Sequence, residues 1–261
     1  MHHITSLNNP SVKQWKKLHL KKERTKQNAY LIEGFHLVEE AINHRNNDVL
    51  NVLIREDLLE DESFSKLNIE DDKINVINLN IAEELSETER NQGIFAEVRI
   101  NPISFPETIN QPILLLDAVQ DPGNVGTMIR TADAAGFQGV FLGKGTVDLY
   151  NSKTLRSAQG SHFHLDIYEG DIKAFISEFK ETEYPVFGTA LNETAESYRD
   201  VCVETPFGLV VGNEGAGINE ETIQEMDRNI YIPMKGHAES LNVAIAASIL
   251  MFHLNPWYDI C

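Results

Sequence analysis

Apolar positions recur along this chain in two rhythms. Short apolar runs read as strands, and apolar residues spaced three and four apart read as helices. Pro10 to Lys22 reads as a helix, with Val12, Trp15 and Leu18 in one stripe and Pro10 in the first turn. Strands are predicted at Ala29 to Ile32, Val49 to Ile54, Ile74 to Leu79 and Gln92 to Val98. Helices fall between them at Phe35 to Asn43, at Leu58 to Leu67 (acidic and weakly amphipathic) and at Ala82 to Leu85. Residues 1–100 therefore predict a small α/β domain. Residues 101–112, punctuated by Pro102, Pro106 and Pro112, predict a linker.

The rhythm restarts with Ile113 to Leu116, wholly apolar in the way of a strand buried in a parallel sheet. A helix at Val125 to Ala135, a strand at Gly139 to Leu142 and a helix at Ser152 to Ala158 follow. Next come a strand at Phe163 to Tyr168, a helix at Ile172 to Phe179, and strands at Pro185 to Ala190, Phe207 to Val211 and Ile230 to Met234. A small-residue apolar helix, Asn242 to Phe252, closes the pattern. Strands alternating with helices predict a mostly parallel sheet covered on both faces over residues 113–261.

Composition narrows the class. The longest apolar run, Val243 to Phe252, is about half of the roughly 20 residues that span a bilayer, so no membrane partner is expected. The opening MHHITSLNNP lacks the apolar core of a signal peptide. Two cysteines without metal-type spacing argue against a disulfide scaffold or a zinc site. A cytoplasmic protein without a metal is the expectation.

The net charge of −18 argues at first against a polyanionic partner. Its distribution changes that. The first 30 residues carry Lys13, Lys16, Lys17, Lys21, Lys22, Arg24 and Lys26 against one acid, Glu23. The acids concentrate later, as in Glu56, Asp57, Glu60, Asp61 and Glu62. The basic cluster reads either as a solvated helix face or as a set of phosphate contacts.

Three loops after predicted strands carry more chemistry than a turn needs, and parallel α/β folds bind ligands outside the carboxyl ends of strands. In DAVQDPGNVGTMIR, Asn124 sits where a helix begins and Arg130 lies about 1.7 turns further on, so the two do not share a face. In VVGNEGAGI, Gly212, Gly215 and Gly217 allow close backbone approach and Glu214 projects from the loop. In IPMKGHAESLNVAIAASIL, Ser240 and Asn242 stand at a helix start, and Ile232, Met234 and Leu241 offer an apolar lining for a flat ligand. Each loop alone also reads as an ordinary cap, turn or piece of core. None matches a phosphate-binding P-loop or a dinucleotide fingerprint.

Taken together, in this order and spacing, the three stretches resemble the SpoU (TrmH-like) family of RNA ribose 2′-O-methyltransferases, within the SPOUT superfamily. The resemblance rests on NVGTMIRTADAAG, VVGNEGAGI and IPMKGHAESLNVAIAASI, and covers about residues 114–254. NPSVKQWKKLHLKKER, YLIEG and NQGI also resemble the RNA-binding extension of many members. The resemblance implies an α/β fold whose C-terminal part forms a trefoil knot, with residues 113–261 as the methyltransferase domain and 1–100 as the RNA-binding domain. It implies S-adenosyl-L-methionine as cofactor, contacted by Gly212, Ile232, Leu241 and Met234 and by the backbone of Thr189, Ala190 and Leu191. It implies catalytic or substrate-positioning roles for Asn124, Arg130, Glu214, Ser240 and Asn242, RNA contacts from the lysine cluster, and a homodimer with the active site at the subunit interface. One departure is Asn213, where Ser is commoner; no loss of activity is expected from it. The expected reaction is methyl transfer to a ribose 2′-hydroxyl, with ribosomal RNA favoured over transfer RNA. A fold-related RNA-binding protein without catalysis is the rival, but such a protein would be expected to lose Arg130, Glu214 or Asn242.

Overall fold

The computed structural model describes residues 1–88, 91–190, 192 and 194–255. The chain divides into two compact units: residues 1–101 with 150–163, and residues 102–149 with 164–261.

The first unit opens with a three-residue strand, β1 (His2–Ile4), too short for the apolar pattern to reveal. Two helices follow, α1 (Pro10–Lys17) and α2 (Lys21–Gln27), where a single helix to Lys22 is predicted. The break has a physical cause. The buried Arg24 guanidinium turns back, and its Nη1 donates to the carbonyl oxygens of Leu18 and His19, 2.8 Å each. Those acceptors lie just past the end of α1, where helix carbonyls lack partners. Then come β2 (Ala29–Glu33), α3 (Phe35–Arg45) and β3 (Val49–Arg55). The acidic helix expected over Leu58 to Leu67 does not form. A 3-10 turn at Glu56–Leu58 and the single turn α4 (Glu62–Ser65) stand in its place, with Asp61 accepting from Ser63 N. A segment with so many like charges and so narrow an apolar stripe has little to gain from a continuous helix. The unit continues with β4 (Ile74–Ile77), α5 (Leu79–Leu85), capped by Asn78, and β5 (Ile94–Arg99).

Its sheet has the order β1-β4-β3-β5-β2, parallel where β4 meets β1 and β3 and antiparallel where β5 meets β2 and β3. One apolar cluster joins Val38, Val52, Ile54 and Val98 to Leu155 and Phe163. Another joins Trp15, Leu18, Leu53, Ile81 and Phe95.

The second unit begins with β6 (Ile113–Asp117), buried along its whole length. Its helix, α6 (Pro122–Ala134), starts one turn earlier than predicted because Asp121 caps it, accepting from Asn124 N at 2.9 Å, with Pro122 at the first position. Gly136 (φ 69°) ends it, with Phe137 N donating to Ala132 O and Gly136 N to Asp133 O, the paired bonds of a left-handed C-terminal cap. β7 (Gly139–Gly143) follows. The next helix, α7 (Ser152–Ala158), lies in the segment that belongs to the first unit. The strand expected at Phe163 to Tyr168 starts only at Asp166, as β8 (Asp166–Gly170), because Ser161–Phe163 is a buried 3-10 turn. After α8 (Ile172–Lys180) and β9 (Val186–Thr189) come the two-residue β10 (Glu196–Ser197), β11 (Gly208–Gly212), the one-turn α9 (Glu220–Ile223) and β12 (Arg228–Tyr231). β12 ends before Ile232, so the residues predicted to finish that strand leave the sheet. The last described helix is α10 (Val243–Leu254).

The seven strands run β10-β12-β9-β11-β6-β7-β8, and every pairing is parallel. β12 follows β11 in the chain yet lies beyond β9 in the sheet. The ends of β9, β11 and β12 therefore open side by side. Helix α10 packs against α6. Among the described residues no helix is long and apolar enough to cross a membrane.

Candidate active site

The site grows from the carboxyl ends of β9, β11 and β12. A cavity of about 350 Å³ opens there, within the size range of small-molecule sites. Thr189 and Ala190 line it from the end of β9, Gly212 from β11, and Ile232, Met234 and Leu241 from the chain after β12. All six are expected cofactor contacts; the seventh, Leu191, lies outside the described residues. Ile232 and Met234 reach the cavity because the chain has left the sheet by then. Tyr231 and Glu239 also line it, and no pattern along the chain singles them out.

The loop after β11 forms one wall. Asn213 and Gly217 pair antiparallel, each N–H donating to the other's carbonyl at 2.9 Å. The loop closes so tightly that a Cβ added at Gly212 would collide with the backbone of Gly217 and Ile218. Gly217, at φ 73°, takes the left-handed conformation that glycine adopts without strain. The far end is held by Asp117, whose Oδ2 accepts from Asn219 N at 2.9 Å.

Glu214 projects from this loop onto the start of α6. Its Oε1 accepts from Asp121 N (2.9 Å) and from Asn124 Nδ2 (3.0 Å), and its Oε2 accepts from Gln120 N (3.1 Å). Partial desolvation raises the carboxyl's pKa, but these hydrogen bonds outweigh it and hold Glu214 below its ordinary value. Asn242 extends the chain of bonds. Its Oδ1 caps α10 by accepting from Ala244 N and Ile245 N, and its Nδ2 donates to Asn124 Oδ1 at 3.0 Å. Glu214, Asn124 and Asn242 thus form one continuous network across three loops, and Ser240 lines the cavity beside it. The apolar lining and the backbone edges of the β9 and β11 ends suit a flat heterocycle with an apolar tail. The ionised Glu214 at the mouth suits a cationic ligand.

Arg130 stands apart. It is exposed on α6, and no hydrogen bond or ion pair joins it to Asn124, Glu214 or Asn242. The basic cluster also divides. Lys13, Lys17, Lys22 and Lys26 are exposed on α1 and α2, as is Lys21, and Lys16 pairs with Glu84. Arg24 is buried with its guanidinium on backbone carbonyls, so its expected RNA contact is corrected to a structural role.

Comparison with known proteins agrees with this geometry. The SpoU rRNA Methylase family matches residues 111–252, and an MRM3-like substrate binding domain matches residues 9–96. A 23S rRNA (guanosine(2553)-2′-O)-methyltransferase, RlmP, of Bacillus subtilis is 45% identical over 97% of this chain and 99% of its own. An AdoMet-bound rRNA methyltransferase from Sinorhizobium meliloti superposes with a TM-score of 0.84 at 29% identity, covering 96% of each chain. The SpoU methyltransferase AviRb from Streptomyces viridochromogenes, in complex with AdoMet, gives a TM-score of 0.83 at 25% identity, over 94% of this chain and 97% of that one. The cavity and the three-loop network both lie inside the matched segment, and this chain belongs to the SpoU rRNA methylase family.

Proposed function

We propose that this protein transfers the methyl group of S-adenosylmethionine to a ribose 2′-hydroxyl of 23S ribosomal RNA. The observation that carries the reading is the cavity at the ends of β9, β11 and β12, walled by the Gly212 loop and bordered by the Glu214–Asn124–Asn242 network. The B. subtilis relative, similar over nearly its whole length, supports ribosomal RNA as the substrate.

When bound, the cofactor supplies a methyl group made electrophilic by a cationic sulfur. The protein's part is positioning and electrostatics. Thr189, Ala190, Gly212, Ile232, Met234 and Leu241 hold the cofactor and exclude water. The carboxylate of Glu214 is fully engaged with donors, which suits it to fix the loops and to favour a cation, not to move protons. Asn124, Ser240 and Asn242 orient the ribose. Arg130, with five N–H donors in a planar fork, holds RNA phosphate and stabilises the developing alkoxide.

Arg130 is exposed on α6, which packs against α10, and on α10 Ile245 (52% exposed) and Phe252 (40% exposed) lie seven residues apart on one side of the helix. This apolar face supports a homodimer in which each subunit's Arg130 serves its partner's network. The exposed lysines of α1 and α2 serve as phosphate contacts. Action on ribosomal RNA supports a cytoplasmic setting.

The test is methyl transfer from labelled S-adenosylmethionine to 23S RNA isolated from a strain lacking the protein, followed by mapping of 2′-O-methyl marks. A single new mark in 23S RNA is expected. Absence of binding heat with S-adenosylmethionine overturns the reading, and a mark in transfer RNA instead replaces its substrate.

A further inference from the structure

The side chain of Asn213 reaches in two directions at once. Its Oδ1 accepts from Gly215 N (2.9 Å) and from Ala216 N (3.0 Å), which folds the tip of the cavity wall. Its Nδ2 donates to the carbonyl of Ala118 at 2.9 Å, across to the loop that leaves β6. Ala118 adopts φ 57°, a left-handed conformation unusual for a residue with a side chain. That strained turn precedes Gln120 and Asp121, whose N–H groups meet Glu214. The same Nδ2 lies 3.5 Å from Glu214 Oε2.

From this geometry we infer that Asn213 is a positioning residue for the methyl-transfer reaction: it pins the cofactor-facing loop to the β6 exit loop and so keeps Glu214 in register with Asn124. The inference rests on the function proposed above. A hydroxyl or a methyl at this position cannot do the same work. Serine supplies an acceptor for the N–H groups of the tip but no amide to reach Ala118, and alanine supplies neither. Because Asn213 acts through Glu214, its effect on turnover disappears once Glu214 no longer grips the neighbouring loop.

A double-mutant cycle tests this. In Asn213→Ala, kcat falls about 10- to 100-fold, KM for RNA stays within about threefold, and S-adenosylmethionine binds about three- to tenfold more weakly by calorimetry. The double variant Asn213→Ala with Glu214→Ala, which removes every acceptor that grips the neighbouring loop, stays within about twofold of Glu214→Ala alone in kcat. Losses that multiply show that Asn213 acts independently of Glu214 and overturn the inference, as does wild-type kcat in Asn213→Ala. If Asn213→Ala does not fold, the cycle is run with Asn213→Ser, which keeps the tip acceptor; its smaller loss in kcat must be non-additive in the same way. Wild-type protein that binds no S-adenosylmethionine overturns the proposed function instead, so the two failures are distinguishable.

Discussion

At the residue scale, Glu214 keeps its negative charge because the N–H groups of Gln120 and Asp121 and the amide of Asn124 converge on it. A carboxyl whose folded pKa is depressed stabilises the fold at pH values above its unfolded value of about 4.3, and loses that contribution as pH falls through the folded value. Glu214→Gln is therefore expected to lower the melting temperature at pH 7, and the gap to wild type should close as acidification below the ordinary carboxylate range protonates Glu214. Thermal melts across that range check it; a gap independent of pH would show that ionisation is not what the network holds. For Arg130→Ala, methyl transfer should be abolished while calorimetric S-adenosylmethionine affinity stays within about twofold of wild type. Equal loss of both would give Arg130 a structural role. Asn124, Glu214 and Asn242 each read alone as an ordinary cap or turn residue, and only the order and spacing of the three stretches, through the family resemblance, marked them as candidates for one site. The task of the Asn213 amide was not legible in the sequence. A side chain that binds backbone two and three residues on looks like any turn residue until the loop it also grips is known.

At the element scale, helix ends decide where the site residues point. Asn242 both caps α10 and donates to Asn124. The two tasks separate by substitution. Asn242→Asp keeps the capping oxygen, so it should melt near wild type while losing turnover. Asn242→Ala should lose turnover and about 1 kcal/mol of stability as well. Arg24 does comparable work between α1 and α2. Arg24→Met removes a charged donor from one buried and one part-buried carbonyl and is expected to cost about 2–3 kcal/mol in urea unfolding. The apolar rhythm predicted most strands to within two residues, because buried parallel strands such as Ile113–Asp117 leave little choice of side chain. It failed where tertiary contacts overrule local preference, at the corner held by Arg24 and at Ile232, which leaves the sheet to line a cavity, and where like charges and a narrow apolar stripe give a helix little to gain, at the acidic single turns.

At the scale of the whole molecule, a net charge of −18 coexists with an exposed lysine face on α1 and α2. Replacing Lys13, Lys17, Lys22 and Lys26 by Gln should weaken RNA binding and leave S-adenosylmethionine affinity unchanged. The dependence of binding on log salt should flatten by roughly 0.7–0.9 for each phosphate that is no longer neutralised. An unaltered slope would return those lysines to the role of solvated surface. The first unit has a further dependence on distant sequence. Tyr150 packs against Tyr30 with the rings tilted by 41° and 4.4 Å between centres, His162 meets the Tyr30 hydroxyl at 3.2 Å, and Leu155 and Phe163 complete the apolar cluster around Val52. On the ribosome, that core is unfinished when residue 101 emerges and waits for residue 163. At about 5–20 residues per second, the nascent chain carries an open apolar face for roughly 3–12 s, a window in which a holdase chaperone has something to bind.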